Sequence, residues 1–365
     1  MSGLTKSDLV NILKKIDGIN ANHLTLNSVK SIESSDNGLT AEIILLGESN
    51  SSIEEKVADA IKENHPELKE IHLNIQSKAP AVSTHLDPKK DSILPGVKNT
   101  IAVASGKGGV GKSTVAVNLS VALAKNGAKV GLLDADIYGP SIPLMLGLTE
   151  KPKVQKKENG VKILPLEKYG IKVISIGLLV DDGAPVIWRG PMASGAIKQF
   201  MTDVEWEELD YLIFDMPPGT GDIQLTLVQT IPLTGGVIVT TPQEVSLIDA
   251  RKALKMFQRV NVPVLGIVEN MSYFIAPDTG KKYDLFGSGG GEKTSKELSV
   301  PFLGGIPIDP RIREGGDSGV PITEGIPESE HSKMIMKISE NLAEQVNIRN
   351  SKSAGKIEIS LTEED

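Results

Sequence analysis

Cysteine is absent from this sequence of 365 residues, and its absence excludes several kinds of chemistry at once. Without thiols the chain can form no disulfide bond, no cysteine nucleophile and no thiolate ligand for zinc or for an iron–sulfur cluster. The five histidines lack the close spacing of a metal site; they are His23, His65, His72, His85 and His331. The sequence therefore predicts no metal centre built from its own Cys or His side chains.

Aromatic residues and positive charge are also scarce. Aromatic side chains make up 4% of the chain, which disfavours a base-stacking surface for single-stranded nucleic acid. The formal net charge is −8, the wrong sign for a general binder of phosphate backbones. No apolar run approaches the roughly 20 residues that span a bilayer, and the first residues do not resemble a signal peptide. We expect a cytoplasmic protein with no nucleic-acid partner and no stable membrane association.

Composition and hydrophobic periodicity divide the chain into four parts. Residues 1–80 combine two helical patterns with three strand-like runs, which predicts a small α+β domain with Ser7 as the cap of its first helix. Residues 81–98 have the composition of a linker. Residues 99–345 alternate apolar strands with helices, which predicts an α/β domain with a doubly wound, mostly parallel sheet. Residues 346–365 are polar and acidic, and we expect a mobile tail.

The most specific motif is a phosphate-binding loop, Gly106–Ser113, with the sequence GKGGVGKS. An apolar strand, Ile101–Ala104, precedes it, and a helical pattern follows it. The glycines allow backbone N–H groups to surround an anion. Lys112 can reach the β- and γ-phosphates of a nucleotide, and the Ser113 hydroxyl can bind Mg²⁺. Lys107 adds a second cation, for which we favour a role toward phosphate over that of a solvated surface lysine.

Carboxylates follow two further strands, at the edge where nucleotides bind in open α/β sheets. Asp134 and Asp136 come directly after Val130–Leu133, and Asp215 comes after Tyr211–Phe214. Asp215 fits the carboxylate on the Mg²⁺ side, and Asp136 fits a residue that positions or activates the attacking water. Together with the loop, these acids predict phosphoryl transfer.

Lys107 and the Gly-Gly-Val-Gly-Lys-Ser run after it resemble the deviant phosphate loop of the dimeric ATPases that include MinD, ParA and the nitrogenase iron protein. Three further segments narrow the resemblance: Asp134–Ser141 (DADIYGPS), Asp215–Asp222 (DMPPGTGD) and Asn270–Tyr273 (NMSY). Together they resemble the Mrp/ApbC family of P-loop ATPases, described as iron–sulfur cluster carriers. Residues 1–80 resemble, less closely, the MIP18-like domain of iron–sulfur assembly proteins.

This resemblance implies a homodimer that binds ATP and Mg²⁺, hydrolyses ATP and acts with iron–sulfur client or assembly proteins. Lys107 would reach the nucleotide of the partner subunit, Asp136 would lie in the first switch segment and Asp215 in the second. Ser113 and Asp215 would hold Mg²⁺. The catalytic residues implied are Lys107, Lys112 and Asp136.

The resemblance also implies which residues contact the nucleotide. Asn270 would face adenine, with help from Pro307 and Asp309. The residues around the phosphates would be Gly106, Lys107, Gly108, Gly109, Val110, Gly111, Lys112, Ser113 and Thr114.

The chain departs from the family at the positions of the cluster ligands. In cluster-binding members a Cys-x-x-Cys pair follows the Asn-Met-Ser-Tyr segment, whereas Ala276 and Thr279 occupy those positions here. Alanine has no donor atom, and a threonine hydroxyl is a poor ligand for iron normally held by thiolate. A cluster is thus a family cofactor that Ala276 and Thr279 are not expected to bind.

Two other functions compete with an ATPase of iron–sulfur assembly. The alternative is a positioning ATPase similar to MinD or ParA that controls partner, membrane or DNA assembly. The acidic run at residues 356–365 and the net charge disfavour its membrane and DNA versions. A reductase similar to the nitrogenase iron protein needs bridging cysteines and is excluded.

Two further segments and the first domain carry interaction hypotheses. Phe274–Phe286 predicts a hairpin whose aromatic side chains either face a dimer or partner surface or pack against the sheet, and both interpretations stay open. Arg189 could touch a partner or form an ordinary surface ion pair. We expect residues 1–80 to form an interaction or regulatory module.

Overall fold

A computed structural model describes residues 4–16, 29–34, 38–46, 51–66, 68, 70–78, 93–157, 160–179 and 190–354. The chain forms two compact units, Met1–Val82 and Ser83–Asp365. Arg189 and residues 355–365 of the predicted tail lie outside the described residues, as do His23 and His85.

In its described residues, the first unit contains a three-stranded sheet and two helices. Its elements are α1 (Lys6–Leu13), β1 (Val29–Ser34), β2 (Gly38–Leu46), α2 (Ser51–Asn64) and β3 (Glu70–Lys78). β2 is central, antiparallel to β1 and parallel to β3. Apolar residues from both helices and all three strands form its core, among them Leu9, Leu13, Ile43 and Ile61.

The cap of α1 differs from the prediction. Thr5, and not Ser7, caps this helix, because the Thr5 side chain accepts from the Asp8 N–H while the Asp8 carboxylate accepts from the Thr5 N–H. This reciprocal arrangement is a capping box, and it satisfies two N–H groups that the first turn leaves without helical partners. Ser7 lies inside the first turn.

The second unit contains the predicted α/β sheet. Its strands are β4 (Val97–Ser105), β5 (Val130–Asp134), β6 (Val154–Lys157), β7 (Gly160–Ile163), β8 (Leu166–Lys168), β9 (Ile171–Ser175), β10 (Leu209–Asp215), β11 (Gly235–Thr240), β12 (Val264–Ile275), β13 (Lys282–Tyr283) and β14 (Phe302–Ile308). Its helices are α3 (Lys112–Lys125), α4 (Ile142–Leu146), α5 (Gly190–Asp203), α6 (Asp222–Thr230), α7 (Glu244–Arg259), α8 (Gly290–Glu297), α9 (Pro310–Ser318), α10 (Ile322–Gly325) and α11 (Glu330–Ala354).

The strand order places the ends of β4, β10 and β5 side by side. The main sheet runs β13-β12-β11-β4-β10-β5-β9-β8, and β14 pairs with β12. Every pairing among β5, β9, β10, β4, β11, β12 and β14 is parallel, whereas β8 and β13 pair antiparallel at the two sides. The chain leaves β4 for β5 and returns later to insert β10 between them. Crevices at such points, beyond the carboxyl ends of the strands, are where open α/β sheets bind ligands.

Burial explains why these strands read as continuous apolar runs. Residues 101–105 of β4 and all of β5 and β11 are buried, as expected for strands with helices on both faces. Phe214 of β10 and Phe257 of α7 are among the largest fully buried side chains. The predicted fold class, a doubly wound, mostly parallel sheet in an α/β unit, is confirmed.

Ordered elements of the α/β unit extend into both of the predicted segments that flank it. Leu94 and Val97 are buried within the linker proposed for residues 81–98, and β4 begins at Val97. At the other end, α11 continues nine residues past Gln345 because Val346 is fully buried and Asn350 donates to the Asn99 side chain (2.9 Å).

Among the helices that the structure describes, none is long and apolar enough to cross a membrane.

Candidate functional site

The predicted phosphate loop joins β4 to α3 and has a backbone that requires glycine. Gly109 and Gly111 both have φ of +79°, a left-handed conformation that costs other residues energy. Gly106 is required for a different reason, since a Cβ there would lie 2.1 Å from the Asp249 carbonyl oxygen of α7. Gly111 begins α3 with no side-chain cap. The first N–H groups of this helix are therefore available to an anion.

A buried charged cluster lies directly below the loop. The Lys112 ammonium is 2.7 Å from one carboxylate oxygen of Asp215 and 3.4 Å from Asp136. The Ser113 hydroxyl donates to the other Asp215 oxygen (2.5 Å). Lys112, Asp136 and Asp215 are each at most 7% exposed. The structure thus brings together the lysine, the serine and the two acids that the sequence predicted as one phosphoryl-transfer site.

The register of the strands explains why Asp136 and Ser113 lie close to Asp215, although they are 79 and 102 positions before it in the chain. Asp215 ends β10 opposite Val103 of β4 and Asp134 of β5. The Ala135 N–H then donates to the Asp215 carbonyl oxygen (2.9 Å), which fixes the chain just before Asp136. Because the three strands are parallel and in this register, their following residues reach the same crevice.

Negative charge exceeds positive charge in this cluster. Burial, together with the neighbouring Asp215 charge, raises the pKa of Asp134 to about 8. Burial also raises the pKa of Asp215, against the lowering effect of Lys112. The Ser175 hydroxyl donates to Asp134 (2.8 Å), as does the Asp136 N–H (3.1 Å). Asp134 therefore holds its proton near neutral pH, and the two remaining carboxyl groups, Asp136 and Asp215, share one lysine, which makes the site favourable for an added cation.

The oxygen atoms present fit Mg²⁺ bound together with a nucleotide. Asp136 Oδ1 is buried and has no hydrogen-bond partner among the described residues. Carboxylate and hydroxyl oxygens are the donors Mg²⁺ prefers, and it usually takes one or two carboxylates plus substrate phosphates. Within the described part of the chain, no group of three or more His, Cys, Asp or Glu side chains is arranged to hold a metal ion by itself.

Lys107 is half-buried, and its backbone is held in place. Its carbonyl oxygen accepts from the Ser105 hydroxyl (2.8 Å). No ion pair among the described residues involves its ammonium group. Within the described residues, the loop thus carries one lysine with an ion-pair partner, Lys112, and one without, Lys107. Val110 is buried, and Thr114 is half-buried in the first turn of α3.

Asn270 contacts the phosphate loop directly. Its amide nitrogen donates to the Val110 carbonyl oxygen (2.9 Å), and a Cβ on Gly111 would lie 2.1 Å from that nitrogen. In the pairing of β12 with β14, Asn270 lies opposite Ile306, the residue before Pro307. The two segments predicted to face adenine are therefore neighbours at the same edge of the sheet.

Asp309 contacts three groups that the sequence analysis did not associate with it, two from Arg311 and one from His331. It caps α9 through the Arg311 N–H (2.7 Å) and pairs with the Arg311 guanidinium (2.6 Å). The His331 ring lies 3.3 Å away and is buried, and its Nδ1 has no hydrogen-bond partner among the described residues. The Arg311 hydrogen bond lowers the pKa of Asp309, and burial lowers the pKa of His331.

The segment at the family's cluster-ligand positions is a closed turn. Ala276 is buried; its N–H donates to the Lys281 carbonyl oxygen (3.0 Å), and its carbonyl oxygen accepts from Gly280 (2.8 Å). Thr279 is exposed, and its hydroxyl is 3.4 Å from the Lys281 N–H. Neither position offers a soft donor atom. These residues do not fit an iron–sulfur cluster.

The hairpin that contains this turn divides its aromatic side chains between two environments. Tyr273 of β12 is partly buried, with its hydroxyl against the Met334 sulfur and the Lys282 ammonium 4.1 Å from its ring centre. Tyr283 and Phe286 are exposed. Tyr273 and Phe274 are therefore partly packed within the chain, whereas Tyr283 and Phe286 face solvent, and a contact of these two with a partner stays a prediction.

Sequence reasoning missed Ser175 and His331. Ser175 ends β9 at the same sheet edge as the predicted acids, so the strand-end rule that found Asp215 would also have found it. His331 gave no comparable signal, because 22 residues and two helices separate it from Asp309.

Comparisons with known proteins agree with this geometry. A family profile described as ParA, the NUBPL iron-transfer P-loop NTPases, matches residues 96–343. An iron–sulfur cluster carrier protein of Synechocystis sp. is 61% identical over 254 residues, which are 69% of this chain and 72% of that protein. Another, from Helicobacter pylori, is 41% identical over 345 residues, 93% of this chain and 92% of that protein, so the similarity includes part of the first unit.

A solved structure is similar as well. The nucleotide-binding protein of Archaeoglobus fulgidus in complex with ADP is 40% identical, with a TM-score of 0.57. The match covers 67% of this chain and 99% of that one.

Proposed function

The chain belongs to the family of NUBPL iron-transfer P-loop NTPases, and from that membership we propose that it hydrolyses ATP as a nucleotide-switched homodimer in iron–sulfur protein assembly. The predicted resemblance to the iron–sulfur carrier family is confirmed, and the names of the relatives favour this function over the positioning alternative. The observation that carries the proposal is the buried contact of Lys112 and Ser113 with Asp215 beneath a glycine loop.

When ATP binds, its triphosphate competes with Asp215 for the Lys112 ammonium. That ammonium neutralises Asp215 at 2.7 Å, and a triphosphate in the loop offers it a second anion. Loop N–H groups and the start of α3 hold the phosphates, while Asn270 keeps the loop closed through the Val110 carbonyl oxygen. Asn270, Pro307 and Asp309 form the side on which adenine binds.

Asp215, Ser113 and Asp136 are the residues that would hold Mg²⁺ with the nucleotide. When bound, the ion neutralises charge on the phosphate oxygens during transfer. Asp136, with its partnerless buried oxygen, orients the attacking water. Movement of the residues after Asp136 and Asp215 then reports the state of the nucleotide, since each follows directly from a group beside the phosphates.

Lys107 acts across the homodimer. Its ammonium forms no ion pair within the described part of its own chain, and its backbone is fixed by Ser105. Supplied to the partner's nucleotide, it stabilises the charge that develops on the transferred phosphoryl group, as an arginine finger does. Hydrolysis removes this anchor and releases the dimer.

The cargo step differs from that expected of a cysteine-bearing carrier. Since the sequence contains no thiol, two copies together still supply no thiolate. The chain therefore acts on iron–sulfur clients or assembly proteins as a partner-loading ATPase or scaffold, and any cluster is held by those proteins.

ATP turnover by single-lysine variants tests the proposal. Lys107→Ala and Lys112→Ala should both lose phosphate release, while Lys156→Ala, an exposed lysine on β6, should retain the wild-type rate. Circular dichroism verifies that each variant is folded. Wild-type turnover in both loop variants would defeat the mechanism.

A further inference from the structure

The hairpin formed by β6 and β7 carries a concentration of positive charge that the nucleotide site does not use. Residues 151–163 contain five lysines and one glutamate, a net charge of +4 within a chain whose net charge is −8. Lys151, Lys153 and Lys156 are exposed. We call residues 151–163 the basic ribbon. A positive surface on an acidic protein attracts negatively charged partners and speeds their association.

One face of the basic ribbon is open to solvent. Val154 lies opposite Ile163, and Lys156 lies opposite Val161. These four side chains share a face because side chains alternate along a strand. Val154 and Val161 are 63% and 52% exposed. Lys162 belongs to the other face, where its ammonium donates to a backbone carbonyl oxygen of α5 (2.6 Å). The open face therefore offers apolar contact beside a cation.

The outer edge of β6 is open as well. Within the ribbon, the Leu164 N–H donates to the Lys153 carbonyl oxygen (2.8 Å). Hydrogen-bonded pairs alternate along antiparallel strands, so the N–H and C=O groups of Val154 and Lys156 point away from β7. No strand that the structure describes pairs with this side of β6. Such an edge accepts an added strand, whose backbone completes the hydrogen bonds.

The basic ribbon meets the main sheet far from the phosphate loop. The Ile163 carbonyl oxygen accepts from the Glu205 N–H (2.9 Å). Glu205 precedes β10, which begins at Leu209 and ends at Asp215 beneath the loop. The seven residues of β10 span about 20 Å. The ribbon thus lies at the end of β10 opposite to the nucleotide site, and a short peptide held there does not contact the nucleotide.

We propose that the basic ribbon binds an extended acidic segment of a partner protein, which adds a strand to β6. The acidic side chains of that segment pair with the ribbon lysines, and its apolar side chains cover Val154. Lysines also attract nucleic acid, but the net charge of −8 and the aromatic content of 4% disfavour it. The open edge and the exposed valines favour a polypeptide, because its backbone and alternate side chains match both.

Fluorescence anisotropy of a labelled eight-residue peptide that alternates Glu and Val tests the proposal on the full chain without nucleotide. Wild type should bind the peptide. Lys153→Glu/Lys156→Glu should weaken binding at least tenfold, because each reversal replaces attraction by repulsion. Lys333→Glu/Lys337→Glu is the matched control, since it reverses two exposed lysines on α11 and gives the same net charge. The control should bind within twofold of wild type.

A proline variant distinguishes strand addition from attraction by charge alone. Val154→Pro removes an N–H group that points away from β7, and edge strands tolerate proline at such positions. Val154→Ala removes the apolar side chain and keeps that N–H group. Val154→Pro should therefore bind the peptide at least fivefold more weakly than Val154→Ala, with circular dichroism verifying that both are folded. Equal affinities would overturn strand addition.

Four other results would overturn the proposal. In the first two, wild type does not bind the peptide, or binds a peptide of alternating Lys and Val equally well. Single-stranded DNA that binds more tightly than the peptide and is lost in Lys153→Glu/Lys156→Glu would assign the ribbon to nucleic acid. Tenfold tighter peptide binding by the full-length variant Glu363→Gln/Glu364→Gln/Asp365→Asn would assign it to the acidic end of this chain.

ATP turnover of the same preparations keeps this proposal separate from the proposed function. The ribbon variants should hydrolyse ATP at the wild-type rate, because none of their residues lies near the phosphate loop. Failure of peptide binding with turnover intact would overturn only the partner surface. Absence of turnover in wild type would defeat the proposed ATPase and leave the peptide result standing.

Discussion

Two turns at the same edge of the sheet differ in whether they keep the residues that the family uses: the loop after β4 keeps them, and the turn after β12 does not. The loop after β4 contains Lys112 and Ser113, which contact Asp215 in a buried cluster. The turn after β12 has Ala276 and Thr279 at the family's ligand positions, and its polar backbone groups bond to one another. The comparison indicates that the residues of the nucleotide site are retained in a chain whose residues at the family's ligand positions offer no soft donor atom.

Electrostatics separates the two turns further. The loop lies over Asp136, Asp215 and one lysine, and this balance favours the binding of a cation together with a phosphate. The turn is exposed from Pro277 onward and has balanced charge. The loop thus has the charges to bind a phosphate and a cation, whereas the turn is exposed and carries no net charge.

The largest effect should come from Lys107. Lys107→Ala should lower ATP hydrolysis by about 1,000-fold, the lower end of what a finger residue supplies, while the affinity for ATP stays close to that of wild type. Phosphate release and calorimetry on the same preparation measure the two quantities. A matching loss of affinity would place Lys107 in its own chain's nucleotide site and break the distinction between the two loop lysines.

Two glycine-to-alanine variants test how strictly the backbone of the phosphate loop requires glycine. Gly111→Ala should weaken ATP binding by about 100-fold, because it combines an unfavourable φ with a collision against the Asn270 amide. Gly109→Ala has the same φ, but a Cβ there meets no described atom within 4 Å, so it should cost about tenfold. Shortening the colliding side chain in Gly111→Ala/Asn270→Ala tests the collision. Equal losses for the two single variants would refute it.

A smaller effect should appear in the pH dependence of unfolding without nucleotide. The folded Asp134 carboxyl has a pKa of about 8 and holds its proton more tightly than the unfolded one. Its contribution to stability is complete below the unfolded pKa of 3.8 and is lost as the pH rises from there to about 8, by at most about 1.4 kcal/mol per pH unit. Asp134→Asn should flatten the decline between pH 5 and 8. Urea unfolding across that range measures it, and parallel curves would contradict the assignment.

Local patterns predicted the parts of the site that lie within one segment. The loop, the strand before it, the helix after it and the acids at strand ends are each determined by a few consecutive residues whose types have a direct chemical reason. The register of β10 with β4 and β5 then brings them together, as the parallel-sheet prediction required.

Features that depend on distant contacts escaped prediction. Asn350 extends α11 by reaching Asn99, 251 residues away, and nothing in the polar composition of residues 346–354 signals that contact. His331 meets Asp309 only because α11 packs beside β14. The prediction named Ser7 as the cap of α1, whereas the cap is Thr5. Both residues have a hydroxyl group, and only the reciprocal contact with Asp8 distinguishes them.

Anaerobic reconstitution with iron and sulfide, combined with ATP turnover on the same samples, tests the central contrast most directly. Wild type should hydrolyse ATP and retain no stoichiometric cluster by absorption and metal counting. Ala276→Cys/Thr279→Cys should hydrolyse ATP at a similar rate and retain iron and sulfide. A stable stoichiometric cluster on the wild-type chain, which has no thiol, would contradict the account, as would a wild type that ignores ATP.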